Sequence, residues 1–563
     1  MIKKIISVVI TGLIVGTTVA LLVQFFLYSI EFLTNFFRKD FNSLDFNEDN
    51  SLLKLILYFL IIPLLVGLIV GLIRSFNEGK RWHGPPDVIL SVHQDNQKLS
   101  IKSGFLTTVA SILSISVGSS VGQYGPLVHF GGTIGAEIKK LFSYAPDYKI
   151  LVSAGVASAI SSGFGAPLAG LIFAREVVLR HQSLASFSPI LLSSIISYVI
   201  TTKIFNYEPT FEIPFVEVDT VYEVLIIIFG GLIVGLFASF YSFMLTTKKL
   251  NFLNFVSTPI LAPVYAALIC GLVSMKFPEV TGVGVETINN LLNFKIDLSS
   301  AIIFLFLKIL LTTICIRMGL VGGIFAPALF LGASLGVIIY YLGALFITDL
   351  SPTIVIISSM AAFGSCIIGG PIANVLIIFE LTSNYQAALS AGICIVIATI
   401  ISSQLIGQST FDKALNARSI NIQDGRDILY LKSIKIKEIS NSDFLKFEGN
   451  TRIKDAIEMF KKSDCSEAYY LSENEELKEK IKLTDLLYLK DSDLIKDVRS
   501  KKFLYMKSDE NLIDVIEKCK DFIGESIPVI DENNKLIGIF SENDLFIYYS
   551  SAQKLRKTEE TKS

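Results

Sequence analysis

The chain has 563 residues, of which 52% are apolar and 18% charged, a balance that excludes a plain set of soluble domains and points to the membrane. Its 49 basic and 51 acidic side chains leave a net charge of −2, and no Lys/Arg stripe with interleaved aromatics occurs, so nucleic acid is excluded as a partner. About 57 of the charged residues lie after position 410: the chain is expected to be membrane-embedded first and soluble last.

In chain order, Lys3 and Lys4 precede an apolar stretch from Ile5 to Ile30, too long for the core of a signal peptide and read as a first membrane helix. Further apolar segments run over Leu52–Ile73, Phe105–Val117, Ile150–Val178, Ile190–Ile204, Val221–Leu245, Pro259–Met275, Ala301–Ile316, Ala328–Ile347, Ile354–Leu381 and Ala387–Leu405. Several are too short to cross about 30 Å of hydrocarbon, and many are interrupted by Gly or Pro, the pattern of tilted and broken helices in transport proteins. The six cysteines and four histidines (His83, His93, His129 and His181) are scattered without a CxxC or HExxH, so neither a disulfide framework nor a metal site is expected. No nucleophile–base constellation or phosphate loop marks an enzyme.

An internal repeat narrows the search. Gly122-Gln123-Tyr124-Gly125-Pro126, continuing to Gly131 and Gly135, aligns on Gly323-Ile324-Phe325-Ala326-Pro327, Gly332 and Gly336 at an offset of 201 residues. Pro167-Leu168-Ala169 with Glu176 aligns on Pro371-Ile372-Ala373 with Glu380 at an offset of 204. Shared small residues are also what close helix packing needs, but two ordered repeats argue for a duplicated membrane domain. In each copy of the first pair a glycine-flanked loop leads to a proline in the first helical turn, where a missing amide proton is harmless and the neighbouring amides point outward. Two such starts facing each other at mid-membrane can replace the water around an anion without a full countercharge. His83-Gly84-Pro85-Pro86-Asp87 is a third element of this type. Glu176 and Glu380 are expected to be structural, since carboxylates in a membrane need partners.

Together these elements resemble the CLC family of chloride channels and chloride/proton antiporters over about Ile5 to Leu415: Gly323 to Pro327 fits its GxFxP element, Gly122 to Pro126 its G-K/R-E-G-P element, and His83 to Pro86 its GSGIP-like element. The segment Gly163 to Glu176 and Gln408-Ser409-Thr410-Phe411-Asp412 are also similar to family segments. The resemblance implies a homodimer with one anion pathway per subunit, built from two inverted repeats. It assigns to that pathway His83, Gly84, Pro85, Pro86, Gln123, Tyr124, Gly125, Gly323, Ile324, Phe325, Ala326 and Phe411. It also brings departures. Tyr124 stands where the family has its gating glutamate, and a phenol with an ordinary pKa near 10 does not cycle protons at neutral pH. Val177 stands where antiporters have the inner proton glutamate. His83 replaces the anion-binding serine and Phe411 the anion-binding tyrosine.

The charged tail carries a second duplication. Asp455, Ile457, Glu458, Leu477, Asp485 and Leu486 align on Asp514, Ile516, Glu517, Leu536, Asp544 and Leu545 at an offset of 59. The second copy is similar to cystathionine-beta-synthase (CBS) modules, expected as strand, turn, strand and helix. In that family residues at positions like Ser541 and Asp544 hold an adenosine ribose, but Lys482 and Glu479 at the matching places of the first copy argue against a bound adenine nucleotide; dimerisation is the alternative role.

The expected fold is therefore an all-α polytopic membrane domain of two inverted repeats with broken helices (1–415), a linker (416–433), a soluble α/β pair of CBS modules (434–490, degenerate, and 491–551) and a charged tail (552–563). The expected function is passive, proton-uncoupled passage of chloride and similar anions, without cofactor or metal, in a multi-pass protein of the plasma (inner) membrane with both termini cytoplasmic. Two alternatives stay open: a chloride/proton antiporter with an atypical proton route, and a CBS-containing cation channel, which would need a ring of acidic residues among its membrane helices.

Overall fold

The computed structural model describes residues 2–38, 56–94, 98–142, 145–180, 184–206, 211, 221–247, 258–348, 350–407, 409–418, 420–422, 426–463, 465–498 and 502–561. The expectations placed on His181, Gln408, the start of the second apolar segment (52–55) and parts of the linker (419, 423–425) lie outside them. The chain divides into two compact units, Met1–Ile420 and Asn421–Ser563.

The first unit is all helical. Its first half comprises α1 (Ile2–Arg38), α2 (Ile62–Phe76), α3 (Pro85–His93), α4 (Ile101–Ser116), α5 (Tyr124–Leu141), α6 (Tyr148–Phe164), α7 (Pro167–Phe173, continued by a widened turn over Ala174–Leu179) and α8 (Leu184–Lys203). The second half repeats this order as α9 (Val221–Thr246), α10 (Leu261–Ser274), α11 (Val285–Leu292), α12 (Leu298–Met318), α13 (Phe325–Gly343), α14 (Pro352–Ile368), α15 (Pro371–Thr382) and α16 (Tyr385–Ile406), and α17 (Thr410–Asn416) closes the unit. Among the described residues six helices are long and apolar enough to span a membrane, and others such as α4, α10 and α14 are shorter.

Two apolar runs that read as continuous in sequence are broken. Ile150–Val178 divides at Gly165 and Ile354–Leu381 at Gly369; both glycines take left-handed backbone (φ 69° and 73°) and end α6 and α14. A proline then opens the next helix in each half, Pro167 and Pro371, following the proline-first, glycine-last asymmetry of helices.

The small residues of the repeat pack helices. A Cβ on Gly135 would fall 2.0 Å from the Leu151 carbonyl oxygen, and one on Gly332 would fall 2.6 Å from the Met360 Cα, so α5 lies on α6 and α13 on α14 backbone to backbone. The two carboxylates of the second repeat cross between halves. Glu176 accepts hydrogen bonds from the Ile372 and Ala373 amides (3.1 and 2.9 Å), and Glu380 accepts from the Leu168 and Ala169 amides (both 2.8 Å). Each half thus caps a helix start of the other, and the partner that an intramembrane carboxylate needs is backbone rather than a cation.

The second unit begins with α18 (Arg426–Ser433) and α19 (Ile436–Ile439), followed by two modules. The first holds β1 (Lys446–Phe447), α20 (Ile453–Lys462), β2 (Glu467–Leu471), β3 (Leu477–Lys482) and α21 (Leu483–Leu486). The second holds β4 (Met506–Lys507), α22 (Leu512–Lys518), β5 (Ile527–Ile530), β6 (Leu536–Phe540) and α23 (Glu542–Thr561). Each sheet pairs its first and second strands parallel and its second and third antiparallel. A leading strand and helix, which the sequence reading did not include, precede the expected strand–turn–strand–helix in both. Ile453, Phe460 and Ile481 fill one core, and Leu512, Ile527 and Phe540 the other.

The modules meet through symmetry-related turns, Leu477 N–H donating to Asn534 O (3.0 Å) and Leu536 N–H to Glu475 O (3.3 Å), and through a buried polar cluster. Glu467 takes the Lys480 ammonium at 2.6 Å and accepts from the Ser526 amide and hydroxyl (2.9 and 3.1 Å). Burial opposes ionisation of Glu467, but Lys480 and Ser526 outweigh it and hold its carboxyl below the usual carboxylate value. A depressed folded pKa contributes stability that is fully present above the unfolded value near 4.3 and is lost as the pH falls through the folded one. Glu467→Gln is expected to cost about 3 kcal/mol at pH 7 by leaving Lys480 buried without its charge partner. It should also flatten the loss of protection below about pH 4.3. Hydrogen exchange of the β2 and β5 amides in the full chain, at pH 7 and at acid pH, measures both.

Candidate functional site

The starts of α5 and α13 are tied together at their loops. Gly122 N–H donates to Gly323 O at 2.7 Å and Gly323 N–H donates to Gly122 O at 2.5 Å, an antiparallel bridge of one residue from each half. Nothing larger than hydrogen fits here. A Cβ on Gly125 would sit 2.8 Å from the Gly323 Cα, and one on Gly323 would sit 2.5 Å from the Gly125 nitrogen. Neither helix start carries a side-chain cap, so the partial positive charge of both N-termini remains available to a ligand.

Beside the bridge lies a cavity of about 260 Å³ lined by His83, Gly84, Pro85, Pro86, Tyr124, Gly125, Gly323, Ile324, Phe325 and Phe411. The three helix-start elements and the end of the domain, far apart in sequence, thus share one space. Two expected residues do not line it. Gln123 and Ala326 are buried beside the same starts, and the Ala326 Cβ is the group a Cβ on Gly122 would strike at 2.9 Å. Successive residues in the first turn of a helix point about 100° apart, so one start cannot aim all its side chains at one cavity.

The third helix start differs from the other two. Asp87 accepts the Gly84 amide at 2.9 Å and caps α3, which removes the free N-terminus expected there. The same carboxylate binds Arg81 at 2.7 Å and Arg418 at 2.8 Å. Asp87 and Arg418 line the cavity, one carboxylate and one guanidinium, while Arg81 holds Asp87 from outside the lining. The sequence signal for the cap was present, an acid three residues after Gly84, but nothing local marked Arg418, 331 residues away. His83 lines the cavity while its Nε2 lies 3.2 Å from the Glu78 carbonyl oxygen.

Tyr124 is 3% exposed. Its ring stacks on Phe164 (centroids 3.7 Å apart, planes 12° apart) and meets the edge of Phe325 at 6.0 Å. Phe325 also meets Phe164 at 5.6 Å, so three rings close one side of the space; Phe164, at the end of α6, was not among the expected pathway residues. Val177 is buried in the widened turn after α7, against Gly370. Phe411 is buried at the first turn of α17 and faces the cavity. In the tail, the Asp544 carboxylate accepts from the Ser541 amide and hydroxyl, both at 2.8 Å. The pair is engaged with itself as the cap of α23. Among the described residues no cluster of three or more His, Cys, Asp or Glu could hold a metal ion.

Broken helices from two inverted halves, with uncapped N-termini converging on a cavity, define a membrane protein of the ion-permeation class. The sequence profile described as "Voltage gated chloride channel" matches residues 64–403, more than half of the chain, and a CBS domain profile matches residues 495–551; the chain belongs to the voltage-gated chloride channel (CLC) family and carries a C-terminal CBS region. It is 25% identical over 367 residues to a putative chloride channel protein ClcB-like of Ralstonia nicotianae, covering 63% of this chain and 85% of that one. It is 26% identical over 360 residues to the voltage-gated ClC-type chloride channel ClcB of Salmonella typhi, covering 62% and 86%. In fold it is similar to a slow cyanobacterial Cl⁻/H⁺ antiporter (TM-score 0.65, 22% identity, 74% of this chain and 99% of that one). It is also similar to a eukaryotic CLC transporter (TM-score 0.65, 16% identity, 97% and 99%).

Gly125→Ala is expected to force the two helix starts apart and to destabilise the protein by about 1–3 kcal/mol, the range of overpacking. Gly84→Ala, whose new Cβ would meet nothing nearer than Pro86 Cδ at 3.8 Å, should leave the melting temperature unchanged. Thermal unfolding of the two variants in detergent compares them directly.

Proposed function

We propose that the chain lets chloride and similar small anions run down their gradient, uncoupled from protons. Family membership and the relatives' names support chloride as the cargo. The reading of a passive conductance rests on one observation: the side chain between the two uncapped helix starts is the phenol of Tyr124, packed on Phe164 and Phe325, and not a carboxylate. An anion in the cavity would take amides from both starts. Tyr124 would obstruct without repelling. Val177 stands where the inner proton station would be, and the carboxylate in the cavity wall, Asp87, is held by Arg81 and Arg418. The protein would act as a homodimer in the plasma (inner) membrane, one pathway per subunit, with its N-terminus and tail in the cytoplasm. In the tail, the self-engaged Ser541–Asp544 pair supports a structural rather than a nucleotide-binding role.

A proton-coupled exchanger is the second reading, favoured by a pair of imidazoles: His129 is buried, neither ring nitrogen has a hydrogen-bond partner, and its ring lies 5.9 Å from that of His83. One experiment separates the two. In proteoliposomes with a chloride gradient, the passive reading requires chloride flux without proton movement and a reversal potential that ignores a pH gradient. A reversal potential that shifts with pH at fixed chloride would instead establish coupling.

Variants of Tyr124 test the pathway. Tyr124→Ala is expected to raise chloride flux, and Tyr124→Phe to lower flux or anion affinity by the roughly 0.5–1.5 kcal/mol of one neutral hydrogen bond. Tyr124→Glu should slow chloride at neutral pH and recover as its carboxylate is protonated toward about pH 4.5. Flux measured from about pH 4.5 to 7.5 decides; three variants identical to the parent at every pH would place Tyr124 outside the path.

A further inference from the structure

Two cysteines that play no part in the reading above meet inside the membrane unit. Cys270 of α10 and Cys315 of α12 have their sulfurs 3.2 Å apart, and both are buried (1% and 0% exposed). They are 45 residues apart in sequence and on different helices, so closing a bond between them would tie α10 to α12. The approach needed to reach the roughly 2.05 Å of a disulfide is about 1 Å.

The surroundings are polar for so buried a pair. The Ser120 backbone amide lies against both sulfurs, and the Lys308 ammonium interacts electrostatically with both. Lys308 is itself fully buried, donating to the Val280 and Gly282 carbonyls at 3.0 and 2.9 Å. Lys308, Thr312 and Cys315 follow the i, i+4, i+7 spacing of one helix face, and that face grips the loop before α5. The Ser120 hydroxyl is 3.1 Å from Thr312 Oγ1 and 3.3 Å from the Val280 carbonyl oxygen, and Gly282 N–H donates to Gly118 O at 3.0 Å. Two residues after Ser120 comes Gly122, which holds the bridge to Gly323.

We propose that Cys270 and Cys315 form a redox-sensitive dithiol that a small uncharged peroxide converts to a disulfide, and that this bond slows anion passage through the Ser120 loop. One sulfur attacks a peroxide oxygen, the O–O bond breaks, and a sulfenic acid and one water form. The second sulfur attacks the sulfenic sulfur, the S–O bond breaks, and a second water leaves with the remaining thiol proton. Two thiols lose two electrons and hydrogen peroxide gains them. Drawing α10 toward α12 moves the Thr312 and Val280 anchors of the Ser120 loop. The effect on flux rests on the anion-conductance reading; the bond itself does not.

The test uses the full chain in liposomes with the two tail thiols removed (Cys465→Ser and Cys519→Ser). After hydrogen peroxide, alkylation in denaturant and mass spectrometry should find a Cys270–Cys315 linked peptide, with Cys366 and Cys394 still alkylated. Chloride flux should fall about fivefold, the lower end of ordinary coupling between sites, and dithiothreitol should restore it. Further substitution of Cys270→Ser or Cys315→Ser should abolish the response. Full alkylation of both cysteines after peroxide overturns the proposal. So does a linked peptide with unchanged flux, or an equal response in the single-serine variants. Should the reduced protein pass no chloride, the conductance reading fails and the flux effect with it, while the linked peptide still decides whether the dithiol exists.

Discussion

At the starts of α5 and α13 the two halves meet backbone to backbone, where Gly122 and Gly323 exchange hydrogen bonds and Gly125 presses on the Gly323 Cα. That contact requires glycine, because any Cβ on either side would occupy the partner's main chain. It also dictates what surrounds it. Two loops that meet inside a membrane unit must have their remaining polar groups satisfied by protein or by a ligand, and the helices they lead into, α5 and α13, open toward one cavity with no side chain over their N-termini. An anion is the ligand that such an arrangement favours, since two partial charges hold it without the depth of a full ion pair.

The same two-fold logic operates twice more. Glu176 and Glu380 each satisfy the first amides of the other half's helix, so each half supplies a cap that the other lacks. In the tail, Leu477 and Leu536 exchange bonds with the opposite turns, while Glu467 and Lys480 from one module close on Ser526 from the other. Duplication supplies identical surfaces, and symmetry lets each provide what the other lacks.

Asp87 shows how a helix start is withdrawn from this scheme. By taking the Gly84 amide and two guanidiniums it turns an N-terminus that resembles the others into a fixed corner of the cavity wall. The cavity is therefore left with the free N-termini of α5 and α13, with α3 serving as frame.

Much of this was written locally and so was legible in the sequence. Composition separated membrane unit from tail, and the offsets of 201, 204 and 59 residues exposed both duplications, whereas the breaks at Gly165 and Gly369 fell inside runs that read as continuous. Tyr124 and Val177 stood out because a short motif fixes their place. What the tertiary structure alone decided were contacts between residues on different helices: Arg418 on Asp87, the crossed caps of Glu176 and Glu380, Phe164 under the Tyr124 ring, and Cys270 against Cys315. It also decided that Gln123 and Ala326 turn away from the cavity their motifs border. Periodicity and motif spacing report which face a residue shares with its neighbours in the chain; which distant surface comes to meet that face depends on the packing of the whole unit.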